Sequence, residues 1–211
     1  MSFGGASQPP WGGSSRTAKE GTARQSGMGA NNEDPSGETH GERNPRTGPQ
    51  PAAVKLLTDA EIIAKFGDPS PYTLPNGDIS GAWKVKILES HVLPAPLPIA
   101  WDHSKKATSV NCHHLVAGPL ITAFQEIFNL GLWAELGDYG GCFQWRMQRG
   151  SQILSRHCWG IAVDINVAKN PFGGKPSMHQ QVIDAFIKQG FAWGGKFHPP
   201  RIDGQHFEHA A

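Results

Sequence analysis

At 211 residues with a formal net charge of +1, the chain has room for one domain and a tail, and gives no bulk electrostatic reason to expect a nucleic-acid partner. Its three cysteines, Cys112, Cys142 and Cys158, cannot all pair within one chain, so no disulfide framework is expected. No apolar run reaches the roughly 18 residues that a membrane-spanning helix needs.

Residues 1–53 hold 10 Gly, 6 Pro and 6 Ser but only four large apolar residues, Met1, Phe3, Trp11 and Met28. Such a stretch cannot bury enough surface to offset its ordering entropy, so a disordered tail is expected ahead of a domain spanning 54–211. A tether or targeting arm is the functional alternative to a solvated spacer, but Trp11 alone makes no binding motif.

Thr58 to Gly67 reads as a short helix with a Thr cap, early acids and a Gly stop. Residues 68–81 are turn-rich, with Pro75-Asn76-Gly77-Asp78 the strongest signal. Trp83 to Leu88 alternates enough to predict a strand. Pro94, Pro96 and Pro98 force an extended segment toward Ile99-Ala100-Trp101. Asn111 to Leu130 is the main helix candidate, with Leu115, Leu120, Phe124, Ile127 and Phe128 at helical spacing and a possible true start near Pro119. Cys112-His113-His114 invites a metal reading. Adjacent histidines diverge on a helix, however, and a helix-entry or surface role is expected. Asp138 to Gly141 reads as a turn and Cys142 to Trp145 as a strand leading to Arg146. A second helix is predicted over Met178 to Gln189, after a loop at Lys169 to Pro176. A short strand and turn follow at residues 191–195.

The chemistry gathers in two stretches. Ile161 to Asn166 reads as a strand that places Ile161, Val163 and Ile165 on one face and Ala162, Asp164 and Asn166 on the other. His157 stands seven residues before Asp164, an odd separation, so the chain must turn between them if they are to meet; Gly160 is the expected place. In the second stretch, a short strand puts His206 and Glu208 on one face and Phe207 on the other. Asp203 precedes His206 by three residues across a turn. Three protein ligands with an open fourth position is the pattern of a catalytic zinc site, and His157, Asp164 and His206 are the candidate three. Asp203 is the candidate base, with Glu208 its rival or a group that orients a zinc-bound imidazole. His198, His209 and Cys158 are weaker rival ligands. His198 sits in an extended loop before Pro199-Pro200, and His209 is expected to be mobile near the terminus. Arg146, Arg149 and Arg156 compete to hold a carboxylate or oxyanion. Trp193 reads equally as a pocket wall or a core aromatic.

Ser155-x-His157-x-x-Gly160-x-Ala162-x-Asp164 followed by Asp203-x-x-His206-Phe207-Glu208 resembles the M15 metallopeptidases. These include D-Ala-D-Ala carboxypeptidases (VanY-like enzymes among them), D,D-dipeptidases and phage L-alanyl-D-glutamate endolysins. Gly190 to Gly195, and Gly140-Gly141-Cys142-Phe143 with Arg146, resemble further segments of the endolysin and VanY-like branch. The resemblance covers residues 115–209. It implies an α+β fold, a small mostly antiparallel sheet with two main helices (hedgehog-like), behind the tail. It also implies Zn2+ on His157, Asp164 and His206, Asp203 as catalytic acid/base and Arg146 as the substrate-binding arginine. Ser155, Glu208 and Trp193 fall to supporting or groove positions. Lys196-Phe197 stands where many relatives carry Asp-Trp.

The implied function is hydrolysis of peptidoglycan stem peptides by a monomer, as an endopeptidase or a carboxypeptidase, with a phage endolysin among the roles the resemblance implies. A zinc-stabilised wall-binding module without turnover, or a metal that merely holds the fold, are the alternatives. No Sec signal peptide is evident, so synthesis in the cytoplasm and action on the wall after phage lysis or other non-Sec export is expected.

Overall fold

The computed structural model describes residues 55–210. The expected disordered tail, Trp11 included, lies outside the described residues. Among the described residues, four α-helices accompany one open sheet: α1 Asp59–Phe66, α2 Gly81–Ile87, α3 His114–Asn129 and α4 Gln180–Lys188. The strands are β1 Leu88–Ile99, β2 Asp102–His113, β3 Tyr139–Gly141, β4 Ala162–Ile165, β5 Phe191–Trp193 and β6 His206–His209. Their order is β2-β1-β3-β4-β6-β5, antiparallel except for the single β1–β3 pairing of Ile99 with Tyr139. This is the expected α+β class, with α3 and α4 as its longest helices. No helix among the described residues is long and apolar enough to cross a membrane.

The helix expected at Thr58 to Gly67 forms as α1. Thr58 accepts from the Glu61 amide while the Glu61 carboxylate accepts from the Thr58 amide, a reciprocal cap. The strand expected at Trp83 to Leu88 is instead α2. In a strand, Trp83, Val85 and Ile87 would share a face; here Trp83 and Ile87 are buried and Val85 is 85% exposed. The pair four residues apart defines a helical stripe.

The proline segment is the second half of β1. Its pairing with β2 lapses between Val92 and Leu97, so Pro94 and Pro96 sit where no ladder donor is needed. β2 carries no continuous apolar face, which is why its sequence shows no strand period, and Asn111 to His113 end this strand instead of opening a helix. Helix α3 begins at His114, ahead of Pro119, because His113 caps it: Nδ1 accepts from the Leu115 amide. Pro119 removes one bond to the carbonyl of Leu115, an exposed residue in the first turn of the helix. His113 is buried, and its Nε2 donates to Phe66 O, so the helix-entry role holds and a surface one does not.

The turn expected at Asp138 to Gly141 contains β3, inserted between β1 and β4. The strand expected at Cys142 to Trp145 does not form, since the Cys142 carbonyl is taken by the His157 ring and not by a neighbouring strand. The core lies between the sheet and α3 and α4. Phe186 stacks on Phe207 at 4.3 Å between centroids and meets Phe124 edge-on at 5.5 Å. Phe207 thus takes the core face of β6 and sends His206 and Glu208 to the other.

Candidate metal centre

Asp164 of β4 and His206 of β6 are register partners, so adjacent strands present both side chains on one face. His157 comes from a 3-10 turn, Arg156–Trp159, whose cap is Ser155: its hydroxyl accepts from the His157 amide. The chain then reverses at Gly160, in the left-handed region at φ 66. The expected turn between His157 and Asp164 is therefore where the sequence placed it. Gly140 on β3 lies against Asp164; a Cβ there would stand 2.8 Å from the Asp164 Cβ, so only glycine lets β3 pass this close.

Three ligand atoms converge. His157 Nε2 lies 3.2 Å from His206 Nδ1 and 3.2 Å from Asp164 Oδ1; His206 Nδ1 lies 3.0 Å from the same oxygen. All three residues are buried. Tetrahedral zinc with ligand bonds of about 2.0–2.1 Å separates its ligands by about 3.3 Å, close to this triangle.

The outer nitrogens decide what the inner ones can be. His157 Nδ1 donates to the Cys142 carbonyl at 2.6 Å, and His206 Nε2 donates to the Glu208 carboxylate at 3.1 Å. Each neutral ring has one proton, and each uses it outward. Two lone pairs and a carboxylate oxygen then face one another, an arrangement that calls for a cation. Burial opposes charge on His206, yet the carboxylates of Asp164 and Glu208 overcome it and push its pKa up to about 10. Burial likewise pushes Asp164 up, and the imidazoles of His157 and His206 outweigh it, holding the carboxyl well below its usual range. Glu208 follows the same pattern, burial raising and His206 lowering it, with a net fall.

Asp203 opens onto the cleft beside His206, a hollow of about 60 Å³. Its Oδ1 is buried without a hydrogen-bond partner, and burial raises its pKa above the ordinary carboxylate value. Arg146 lines the same cleft with Nη2 3.9 Å from Asp164 Oδ2. Its Nε donates to Gln144, and Cys158 grips its backbone, the thiol donating to the Arg146 carbonyl and accepting from its amide. Cys158 is thereby engaged away from the triangle. Ser155 lines the cleft too.

Trp193 is half-buried and serves both readings: it packs against the core, donates from Nε1 to Gly204 O, and lines a larger groove of about 510 Å³ beside the cleft. His198 is exposed on that groove and outside the ligand group. His209, expected to be mobile, is instead buried in β6 with its ring edge-on to Phe191 at 5.2 Å. Arg156 is turned to α1: it donates to Asp59 at 2.6 Å and to Leu57 O at 3.2 Å, with Nε 3.9 Å from Glu208. Trp83 Nε1 donates to Cys158 O and Trp159 Nε1 to Gly67 O, holding the His157 turn from both sides.

The reading from sequence missed the Cys142 carbonyl, a backbone group with no residue-type signal. It also missed Gln148 and Arg201, which share the cleft.

Residues 149–209 match a family model described as D-alanyl-D-alanine carboxypeptidase, of the M15 peptidases. The segment contains His157, Asp164, Asp203 and His206; Arg146 lies just ahead of it. Comparison with curated proteins and with solved structures returned no match.

Proposed function

We propose that this chain, whose residues 149–209 belong to the M15 peptidases, is a zinc-dependent peptidase acting on peptidoglycan stem peptides. The observation that carries the reading is the triangle of His157 Nε2, Asp164 Oδ1 and His206 Nδ1, with both ring protons spent on outer acceptors. Zinc held by these three residues would supply Lewis acidity and lower the pKa of a water from about 15.7 toward about 7.

Asp203 is the general base and acid. It accepts a proton from the attacking water and returns it to the leaving amine. Its buried, unpartnered oxygen, with a pKa that burial raises above the ordinary carboxylate value, suits a group that must gain and lose a proton. Arg146 directs guanidinium N–H groups at the oxygen that becomes negative in the tetrahedral intermediate. Glu208 fixes the tautomer and tilt of His206 and is not the base, since its carboxylate is committed to that ring. Ser155 holds the His157 turn. The groove walled by Trp193 continues from the cleft and has room for the rest of a peptide.

Endopeptidase cleavage between L-Ala and D-Glu and carboxypeptidase removal of D-Ala both need these groups, and an endolysin would use the first. Mass spectrometry of peptidoglycan incubated with zinc-loaded protein, beside a chelated control, separates them. New D-Glu-started peptides mean the endopeptidase; loss of one D-Ala per stem means the carboxypeptidase. No zinc-dependent product from folded, wall-bound protein would overturn the peptidase reading in favour of a binding module.

A further inference from the structure

The cleft beside His206 carries four arginines, and they are not equivalent. Arg156 is neutralised by Asp59 and lies near Glu208. Arg146 lies against Asp164. Arg149 and Arg201 have no carboxylate within 4.0 Å among the described residues, although both line the cleft. Each is held by a neutral group instead. Arg149 lies over the Phe172 ring at 5.3 Å from its centroid, and Arg201 donates to Gln148 Oε1 at 2.6 Å. Gln148 precedes Arg149 in the chain, so the segment that holds Arg201 also carries Arg149, and both arginines line the one cleft.

A surface arginine in water is ordinarily mobile and its charge diffuse. Here two are steadied while their charges stay uncompensated, and a guanidinium has five donors of which Arg201 spends one on Gln148. Asp203 is not their missing partner: it shares the cleft, but no ion pair within 4.0 Å joins it to either arginine among the described residues. A cleft ringed in this way favours an incoming carboxylate, which matches a guanidinium in two-pronged geometry.

We infer that Arg149 and Arg201 form an anion subsite at the mouth of the cleft that takes a carboxylate of the substrate peptide away from the bond being cut. The inference rests on the peptidase reading and adds the substrate class: acidic peptides, in preference to their amidated counterparts. The carboxylate is either a side branch of the peptide or its C-terminus.

The test uses the full zinc-loaded chain and three fluorescent stem-type peptides: both carboxylates free, the side-branch carboxylate amidated, or the C-terminus amidated. Binding is read by stopped-flow fluorescence before turnover, and cleavage by mass spectrometry of the same mixtures. One charge-assisted pair corresponds to about tenfold to hundredfold in affinity. The free acid should therefore bind tighter by that factor than one of the two amides, and which amide identifies the carboxylate. In Arg149→Gln/Arg201→Gln the difference should fall below about threefold, with the affinity of the weak amide unchanged. Equal binding of all three peptides by the wild type, binding of none, or a preference that survives the double substitution overturns the subsite. Discrimination in binding without cleavage of any peptide keeps the subsite and overturns the peptidase reading. Both arginines are exposed, so the substitutions leave the core untouched.

Discussion

The Nε2 of His157 faces the Nδ1 of His206 across 3.2 Å, and each ring has already given its proton to an acceptor on its far side. The metal predictions follow from that relationship. His157→Ala and His206→Ala should purify without stoichiometric zinc. Glu208→Gln should keep zinc but bind it about 10- to 100-fold more weakly, because the outer partner of a ligating imidazole sets its tautomer and basicity. Metal analysis after dialysis against graded chelator measures both; full zinc occupancy in either alanine variant would remove that histidine from the ligand set.

Asp203→Ala should retain zinc and the fold while turnover falls by about 10²- to 10⁴-fold, the usual contribution of a positioned acid/base. Removing a buried carboxyl whose Oδ1 has no partner should not destabilise the protein. Activity within tenfold of wild type would send the base assignment to Glu208.

His113 and His209 give a pH dependence to stability. Burial lowers each from the ordinary 6.5 to about 4 in the folded protein. Between those values the unfolded chain binds more protons than the native one, so stability is full above about pH 6.5 and falls as pH drops toward about 4. Each histidine contributes on the order of 3 kcal/mol at most, from about 1.4 kcal/mol per pKa unit. For His113 the cause is visible: protonating Nδ1 removes the acceptor that caps α3. His113→Asn keeps a capping oxygen and loses the titration. Its urea-unfolding profile should therefore be flatter in this window than the wild type's, and parallel profiles would show that His113 does not titrate on unfolding.

Gly160→Ala should lower stability by about 1–3 kcal/mol. The residue sits at φ +66, and a methyl there would meet Leu88 Cδ2 at 2.9 Å and the His113 amide nitrogen at 3.0 Å. Relief of that clash shifts the His157 turn, so zinc affinity should fall alongside the melting temperature. A loss of stability with unchanged zinc affinity would show that the turn moves independently of the ring.

The triangle was legible in the sequence because its members lie in two short motifs whose alternation already sorts side chains between faces. Asp164 and His206 needed only the strand period, and His157 needed only a glycine at which to turn. The first half of the fold was less legible. Trp83 and Ile87 carry the same apolar pattern in a strand as in a helix, and the exposure of Val85 settles it only in three dimensions. β2 shows no apolar face to read, and β3 is three residues of glycine and tyrosine whose strand character comes from its neighbours. Arg149 and Arg201 lie far apart in sequence, so nothing short of the folded chain shows that they flank one cleft.

Arg156 joins Glu208, the partner of His206, to Asp59 on α1 across 97 residues of sequence. The candidate metal centre is therefore braced by an element well upstream of the segment that carries its proposed ligands. A fragment cut down to residues 149–209 would keep every ligand and lose the scaffold that aims them. Here the smallest piece able to hold the His157–Asp164–His206 triangle is larger than its recognisable motif, and a deletion at α1 should act on that triangle from a distance.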